Sequence, residues 1–478
     1  MKKKTMIFAI FTLLFFGIFI KINYSVDTYL LFASQNLGYV QEYLRSGRLV
    51  TVIFFRLMQL MKMQPEMMYS ISFIIAIACI TCAMSILFNV LKKYIKDEML
   101  SGLVTIMIII NPFVIELWLF VEMGIMMLSI LASVIAFKYF DEFIEQKDKK
   151  NIYLCIFFLT IALFSYQGTV GIFIALSVLT IIINSINIKH FLKNNLWMFL
   201  CYGIPTIINF LVVMLIGNTR VGVKNNYFET FKFIINASGK HLFSGFGLYP
   251  ISLFIILHIV SLLYVLFLIL KQKQDKSKKC FYLLYIILMT YFFTIITIIP
   301  QDIKSAVMFP RNSYSFGSII GIIFAFAIIL LTKEEKKNQN KIMIYISFIV
   351  LLMEFVQFTI IGINRYIVNY MDKYIALQIE EKINKYEKET GYTIKKLAIY
   401  NLDNSEVFYP DLQDMINVSA KSEKLSNKAL LVFYLRKELI DAEEDSKIYN
   451  KYFKDKNWKF FDLDQIVFYE NTMHWYLY

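Results

Sequence analysis

Cysteine, histidine and proline are scarce in this chain of 478 residues, which has five, four and seven of them. Every cysteine lies within or beside an apolar stretch and the last is Cys280, which excludes a disulfide framework in the C-terminal segment. Cys79 and Cys82 have the spacing of a redox or metal pair, but no other ligands accompany them, so we interpret them as core residues. The histidines show no ligand spacing, and the sequence contains no phosphate-binding glycine loop and no nucleophile–base pair.

Apolar residues are abundant instead, with 58% of the chain hydrophobic and 17% aromatic. No soluble domain buries so much apolar surface, so the composition predicts an α-helical polytopic membrane protein. The lysines at positions 2–4 and the apolar stretch that follows resemble a signal peptide without a cleavage site, which we interpret as a retained anchor. About eleven runs are long enough to cross a bilayer, near 5–22, 67–91, 100–115, 123–140, 151–166, 168–187, 195–217, 251–270, 280–300, 314–332 and 341–362.

The distribution of lysine predicts the orientation of the chain. Lysines cluster on alternate loops, which the positive-inside rule assigns to the cytoplasm. The N-terminus is then inside and residues 363–478 are outside. The richness in Ile, Lys, Asn and Phe suggests the AT-rich genome of a bacterium, so the membrane is expected to be a bacterial cytoplasmic membrane. Much of the net charge of +13 is explained by this topology, so a nucleic-acid partner is not needed.

Two domains are predicted, a transmembrane domain over 1–362 and an extracytoplasmic α/β domain over 363–478. In the second, an amphipathic helix is expected over 364–390, buried strands over 396–400 and 429–434, and a closing strand pair over 465–469 and 475–478. We expect this domain to dock or orient a substrate. The outer face also holds four loops, 23–66, 111–122, 218–250 and 300–313, with an interfacial or re-entrant helix at 49–61 and a tight turn at 166–168.

Asp27 is the best candidate for a catalytic base in the outer loops. A carboxylate at the mouth of a membrane bundle must stay hydrated or find a partner, which makes its position costly. A base that accepts the proton of an acceptor hydroxyl is one requirement of sugar transfer from a lipid phosphate. The alternative is a helix cap or a salt bridge to Arg45 or Arg48.

Glu116 and Glu122 are two further acids, in an apolar stretch of the second outer loop. They are expected to bind a divalent ion, orient the acceptor or pair with a loop arginine. The alternative is a pair of interfacial residues beside Trp118.

Arginines in the outer loops are candidates for holding the phosphate of a donor. Arg48 and Arg311 offer the two-pronged grip that suits a phosphate, with anchoring to lipid headgroups as the alternative. Lys304 is a nearby second cation. Tyr166 and Gln167 are positioned to hydrogen-bond a sugar, although a tight turn between spans needs much the same residues.

Several short motifs follow one another along the chain. They are Val26-Asp27, Ser46-Gly47-Arg48, Asn111-Pro112-Phe113 with Glu116, Leu163-Phe164-Ser165-Tyr166-Gln167-Gly168, Pro310-Arg311 and Ile399-Tyr400-Asn401-Leu402. In this order they resemble the GtrII-type glucosyltransferases of bacterial envelopes, which belong to the GT-C class of multi-span transferases. The resemblance implies glucosyl transfer from a polyprenyl-phosphate sugar to a surface glycan. It also implies that Asp27 is the catalytic acid residue, that Glu116 lies in the active site, and that Arg48 and Arg311 are pocket cations.

The chain departs from that family pattern in its first loop. The family usually shows two adjacent aspartates there, whereas Asp27 is flanked by Val26 and Thr28. Metal use and the identity of the sugar therefore stay open, as does the acceptor, a teichoic acid, a capsule or another glycan. The alternatives to a transferase are a Wzy/EpsG-type polysaccharide polymerase and a transporter or flippase for a lipid-linked sugar. A transporter favours internal repeats and charges at mid-membrane, and neither is evident.

Overall fold

The structure is a computed structural model that divides into two compact units. Residues 1–20 and 41–359 form the first, here called the helical unit, and residues 21–40 and 360–478 form the second, the tail unit. The described residues are 2–20, 24–33, 38–217, 228–229, 232, 235–236, 248, 251–271, 276–296, 309–332, 337–400, 424–456, 458 and 460–477.

Helices account for nearly all of the described part of the helical unit, and α3 and α15 continue into the tail unit. Four short 3₁₀ helices, Gly17–Ile20, Pro112–Leu119, Gln167–Thr169 and Pro310–Asn312, follow or join them. The α-helices are α1 (Lys2–Phe16), α3 (Gly38–Arg45), α4 (Leu49–Leu60), α5 (Pro65–Tyr94), α6 (Glu98–Ile109), α7 (Met123–Gln146), α8 (Lys149–Ser165), α9 (Gly171–Asn184), α10 (Ile188–Ile216), α11 (Ile251–Lys271), α12 (Lys276–Ile296), α13 (Tyr314–Gly317), α14 (Ile319–Thr332) and α15 (Lys337–Thr390).

Six helical stretches in the described residues are long and apolar enough to cross a membrane, and a bent helix pair brings the number to seven. The protein is therefore a polytopic membrane protein, as its composition predicts. The count of eleven spans stays a prediction. The six stretches are Lys3–Ile20, Pro65–Tyr94, Met123–Gln146, Gln167–Asn184, Ile188–Ile216 and Lys341–Thr390.

The span expected at 100–115 is broken. Helix α6 ends at Ile109, and the chain continues at an angle of 53° as the 3₁₀ helix Pro112–Leu119. Pro112 has no N–H to continue the helix, and the Asn111 side chain caps the new segment by accepting the Phe113 N–H at 3.0 Å. The segment expected to be an outer loop at 111–122 is buried throughout, so the expectation of interfacial side chains beside Trp118 is wrong.

Close packing between helices uses glycine at two positions in the helical unit. A Cβ on Gly124 of α7 would lie 2.7 Å from the Ser72 carbonyl oxygen of α5. A Cβ on Gly321 of α14 would lie 2.7 Å from the Ile108 nitrogen of α6. Small residues let membrane helices approach each other at backbone distance, which is a main source of their packing energy. The contact at Gly321 holds α6, the helix that precedes the 3₁₀ break, against α14.

The first outer loop, expected to be a polar loop over 23–66, is largely helical. It contains α2 (Val26–Ala33), α3 and α4. Helix α4 coincides with the interfacial or re-entrant helix expected at 49–61. Ser25 begins α2, since its hydroxyl accepts the Thr28 N–H at 3.2 Å.

The tail unit contains a four-stranded sheet of order β2-β1-β4-β3. Strand β1 pairs in parallel with both β2 and β4, and β3 pairs antiparallel with β4. The predictions of a strand at 396–400 and of a closing strand pair are confirmed, although the last strand covers Thr472–Tyr476 and not 475–478. The strands are β1 (Lys396–Tyr400), β2 (Ile440–Asp441), β3 (Ile466–Tyr469) and β4 (Thr472–Tyr476).

The strand expected at 429–434 is wrong, because these residues lie in helix α16 (Lys424–Leu435). A short apolar run is compatible with a buried strand and with a buried helix, and its periodicity does not distinguish them. The run is buried on nearly every position, so it shows no polar face that would have indicated a helix. The helix expected over 364–390 is confirmed as the second half of α15. A short helix α17 (Ser446–Ile448) follows β2 and continues into the π-helix Tyr449–Phe453.

Candidate active site

Three short 3₁₀ helices meet in the helical unit at the connections between longer helices. Pro112–Leu119 contacts Pro310–Asn312, which in turn contacts Gln167–Thr169. The tight turn predicted at 166–168 is confirmed, and its glycine has a steric cause. A Cβ on Gly168 would lie 2.8 Å from the Arg311 carbonyl oxygen and 2.6 Å from Cε1 of Tyr166. The two segments can approach this closely only because residue 168 has no side chain.

Glu116 and Arg311, predicted separately, form an ion pair. The Arg311 Nη1 lies 2.5 Å from Oε1 of Glu116, and the Arg311 backbone N–H donates to Oε2 at 2.7 Å. Glu116 is 5% exposed. The Arg311 guanidinium also packs over the rings of Phe120 and Phe309, at 4.8 and 4.4 Å from the ring centres. Of the roles considered for Glu116, pairing with a loop arginine is therefore the one that the structure shows.

Glu122, the second acid of this segment, accepts a hydrogen bond from a tyrosine of the first outer loop. The Tyr43 hydroxyl donates to its Oε1 at 2.8 Å, and Glu122 is 3% exposed. Tyr43 lies on α3 and was not among the predicted site residues. Its position beside arginine in an amphipathic segment is the only signal of it in the sequence.

Arg48 packs on aromatic rings. Its guanidinium carbon lies 4.6 Å from the centre of the Tyr166 ring and 5.8 Å from that of Tyr43. Its Nε is buried and has no hydrogen-bond partner among the residues that the structure describes. Arg45, the other arginine of this loop, pairs with Glu42 at 2.8 Å.

Tyr166 brings the predicted charged residues together. Its side chain is buried, and four charges lie close enough to act electrostatically on its hydroxyl. The four side chains are those of Arg48, Glu116, Glu122 and Arg311. The arrangement therefore gathers two carboxylates and two guanidinium groups around one tyrosine.

The turn that carries Arg48 is fixed by two amide side chains. Nε2 of Gln167 donates to the Ser46 carbonyl at 2.8 Å, and Nδ2 of Asn209 donates to the Gly47 carbonyl at 3.1 Å. Gly47 has a φ of 74°, a conformation that favours glycine. Asn209 was missed by the sequence analysis, and its signal is an amide inside the apolar span at 195–217.

Asp27 belongs to the tail unit, where it lies in the first turn of α2. The side chain is half-buried. Within the described residues, its carboxylate forms no hydrogen bond or ion pair. A carboxylate in the first turn of a helix interacts favourably with the helix dipole.

Other predicted positions lie outside the described residues. These are Lys304 and most of the loop at 218–250. Among the residues that are described, no group of three or more histidine, cysteine, aspartate or glutamate side chains is arranged to hold a metal ion.

Comparison with known families decides the identity of this arrangement. The profile of the glucosyl transferase GtrII family matches residues 16–321. The chain belongs to the GtrII family. The resemblance inferred from the short motifs is thereby confirmed, and the match includes Asp27, Arg48, Glu116, Tyr166 and Arg311. Membership indicates a membrane glycosyltransferase of the glucosyl-transferring type. No curated protein and no solved structure matches the chain significantly.

Proposed function

We propose that the protein transfers glucose from a polyprenyl-phosphate donor to an envelope glycan on the outer face of the bacterial cytoplasmic membrane. Membership of the GtrII family supports the reaction class. The lysine-rich alternate loops support an outer location for the candidate site and for the tail unit. A donor carried by a lipid suits a site formed between membrane helices.

The environment of Arg48 is the observation that carries this proposal. Arg311 already has a buried carboxylate partner in Glu116, so much of its charge is balanced within the protein. Arg48 instead packs on the Tyr166 ring with its Nε unpartnered among the described residues. A guanidinium that lies over a ring, with a donor unused within the described residues, is prepared to bind a phosphate through two hydrogen bonds. We therefore assign the donor phosphate to Arg48, and assign to Arg311 the role of holding Glu116.

The proposed reaction is a single inverting displacement. Asp27 accepts the proton of the acceptor hydroxyl, and the oxygen attacks the anomeric carbon of the sugar. The bond between that carbon and the phosphate oxygen breaks, and polyprenyl phosphate leaves with the electron pair. Arg48 stabilises the negative charge that grows on the phosphate as the bond breaks. Glu122 and Gln167 are proposed to hydrogen-bond the sugar.

The donor class is tested with purified protein in nanodiscs. Radiolabelled glucose is supplied either as polyprenyl-phosphate glucose or as a nucleotide sugar, together with an extract of envelope glycans. We expect label to be transferred from polyprenyl-phosphate glucose and not from the nucleotide sugar. Transfer from the nucleotide sugar alone contradicts it. Lengthening of a lipid-linked oligosaccharide, without transfer from either glucose donor, indicates the polymerase instead.

A further inference from the structure

The backbone immediately before Asp27 is held by two side chains of the tail unit. The Tyr24 N–H donates to Oδ1 of Asn369 at 2.8 Å. The Tyr24 carbonyl accepts a hydrogen bond from Nη2 of Arg365. Both backbone polar groups of Tyr24, three residues before Asp27, are therefore bound by the same face of α15, since positions 365 and 369 are one helical turn apart.

Aromatic packing holds the rest of α2 against α16. The ring of Phe433 lies 5.3 Å from that of Tyr24, 5.7 Å from that of Tyr29 and 5.9 Å from that of Phe32. The Tyr29 hydroxyl also lies 3.5 Å from that of Tyr434. Helix α2 has eight residues, too few to be stable alone, so its position depends on these contacts.

The polar groups at this contact are costly to bury. Arg365 is 1% exposed and Asp372, on the same face of α15, is 0% exposed. Asn369 lies between them and is 6% exposed. Apolar side chains would anchor a short helix without the desolvation of a guanidinium and a carboxylate. What the polar groups add is direction, because hydrogen bonds to both the N–H and the carbonyl of one residue fix the orientation of the turn that follows.

We propose that Arg365 and Asn369 are positioning residues that orient Asp27 for catalysis. They act through the backbone N–H and carbonyl of Tyr24 and the first turn of α2. Both lie beyond residue 321, where the family match ends, so this inference assigns a positioning role to a part of the chain that the match does not cover. The inference rests on the proposed function of Asp27 as the base.

The anchoring itself is tested without any enzyme assay, by hydrogen–deuterium exchange on the full-length protein in nanodiscs. Asn369→Leu removes the acceptor of the Tyr24 N–H at nearly constant volume. Lys373→Ala is the matched control, since Lys373 is exposed on the same helix. Amide exchange over residues 24–33 is expected to become at least about tenfold faster in Asn369→Leu and to stay unchanged in Lys373→Ala. Equal exchange rates in the two variants overturn the anchoring.

The catalytic consequence is tested by steady-state kinetics with the lipid donor. Misplacement of a catalytic group by about 1 Å costs up to about a hundredfold in rate. For Asn369→Leu we expect kcat to fall about 10- to 100-fold with the donor KM within about twofold of wild type. Arg365→Lys retains a donor for the Tyr24 carbonyl and is expected to keep more activity than Arg365→Met. A rise in KM at constant kcat, or equal activity of the two Arg365 variants, overturns the positioning role.

A double variant separates this inference from the function on which it rests. If Asp27→Asn is fully active, the proposed function fails, whatever Asn369→Leu does. If Asp27→Asn is inactive and Asn369→Leu keeps full kcat, only the positioning role fails. If Asp27 is the base and Asn369 positions it, the double variant Asp27→Asn/Asn369→Leu has the same residual rate as Asp27→Asn alone. Should Asn369→Leu fail to fold, Phe433→Leu loosens the same helix without leaving a buried polar group unpaired, and the same outcomes apply.

Discussion

At the scale of single residues, Arg48 and Arg311 differ in what surrounds their charges. Arg311 is paired with the buried Glu116, whereas Arg48 lies on aromatic rings with a buried Nε unpartnered within the described residues. Two arginines that are equivalent in the sequence therefore receive different roles. The difference depends on contacts between segments that are far apart in the chain.

Replacing Arg48 tests its assignment to the donor phosphate. Arg48→Gln removes one charged donor, and hydrogen bonds to charged groups contribute about 1.5–3 kcal/mol. We expect the donor KM to rise about 10- to 100-fold, measured with polyprenyl-phosphate glucose. Arg45→Gln is the control, because Arg45 is exposed and paired with Glu42. An unchanged donor KM in Arg48→Gln contradicts the assignment.

Gly168 tests the close approach of the two 3₁₀ helices. In Gly168→Ala the new methyl group meets the Arg311 carbonyl oxygen, so the backbone must shift. We expect a loss of about 1–3 kcal/mol in stability and a lower melting temperature in detergent. The same change at Gly203 of α10, where nothing lies within 4 Å, is expected to be neutral or stabilising. Equal melting temperatures for the two variants argue against the packing described here.

The sequence predicts some residues of the candidate site and misses others. It names Glu116 and Arg311 and allows for an ion pair, but a pairing across 195 residues depends on tertiary packing. Tyr43 and Asn209 are missed because each is an ordinary residue in its local segment. Residues of this kind acquire a role only from what the fold places beside them.

At the scale of the elements, the length of the apolar runs predicts many of the helices. The local residue pattern predicts three of the four strands of the sheet. Strands β1, β3 and β4 are identified by their β-branched and aromatic residues. Helix α16 is mistaken for a strand because burial on nearly all sides removes the helical periodicity. The broken helix at Asn111-Pro112 is visible in the sequence as a proline, but the burial of the segment that follows is not.

The sheet of the tail unit contains a histidine that makes its stability depend on pH. The Tyr400 hydroxyl accepts the Asp445 backbone N–H at 2.8 Å and lies 2.8 Å from Nδ1 of His474, closer than the 3.4 Å to its other acceptor, the Asp445 carbonyl. In neutral His474 the shorter bond has the Tyr400 hydroxyl as donor and Nδ1 as acceptor. Nδ1 accepts that bond only while it is unprotonated. Burial lowers the pKa of His474 below its usual 6.5, and Asp445 partly opposes that shift.

The sign of the pH dependence follows from this lowered pKa. Below about pH 6.5 the unfolded chain binds more protons than the folded chain, so the free energy of unfolding falls as the pH falls. Above that pH both states are neutral at His474 and the contribution vanishes. We expect faster amide exchange in β1 and β4 at pH 5 than at pH 7, after correction for intrinsic rates. His474→Gln is expected to weaken this dependence, and an undiminished dependence contradicts the assignment.

At the scale of the whole molecule, the proposed outer site depends on the orientation of the chain in the membrane. It is tested with single-cysteine variants at Glu443 and Lys150, both exposed, in a background from which the native cysteines are removed. A membrane-impermeant maleimide applied to intact cells is expected to label position 443 and not position 150. Labelling of position 150 alone places the tail unit in the cytoplasm and contradicts the proposed outer site.

The central claim is that Asp27 is the base of a sugar transfer from a lipid phosphate. The most direct measurement is the release of labelled glucose from polyprenyl phosphate into water-soluble glycan by wild type and Asp27→Asn. Glu42→Gln, a nearby exposed carboxylate, is the matched control. The account predicts that Asp27→Asn abolishes release while membrane insertion and the activity of Glu42→Gln are retained. Full release by Asp27→Asn would contradict it.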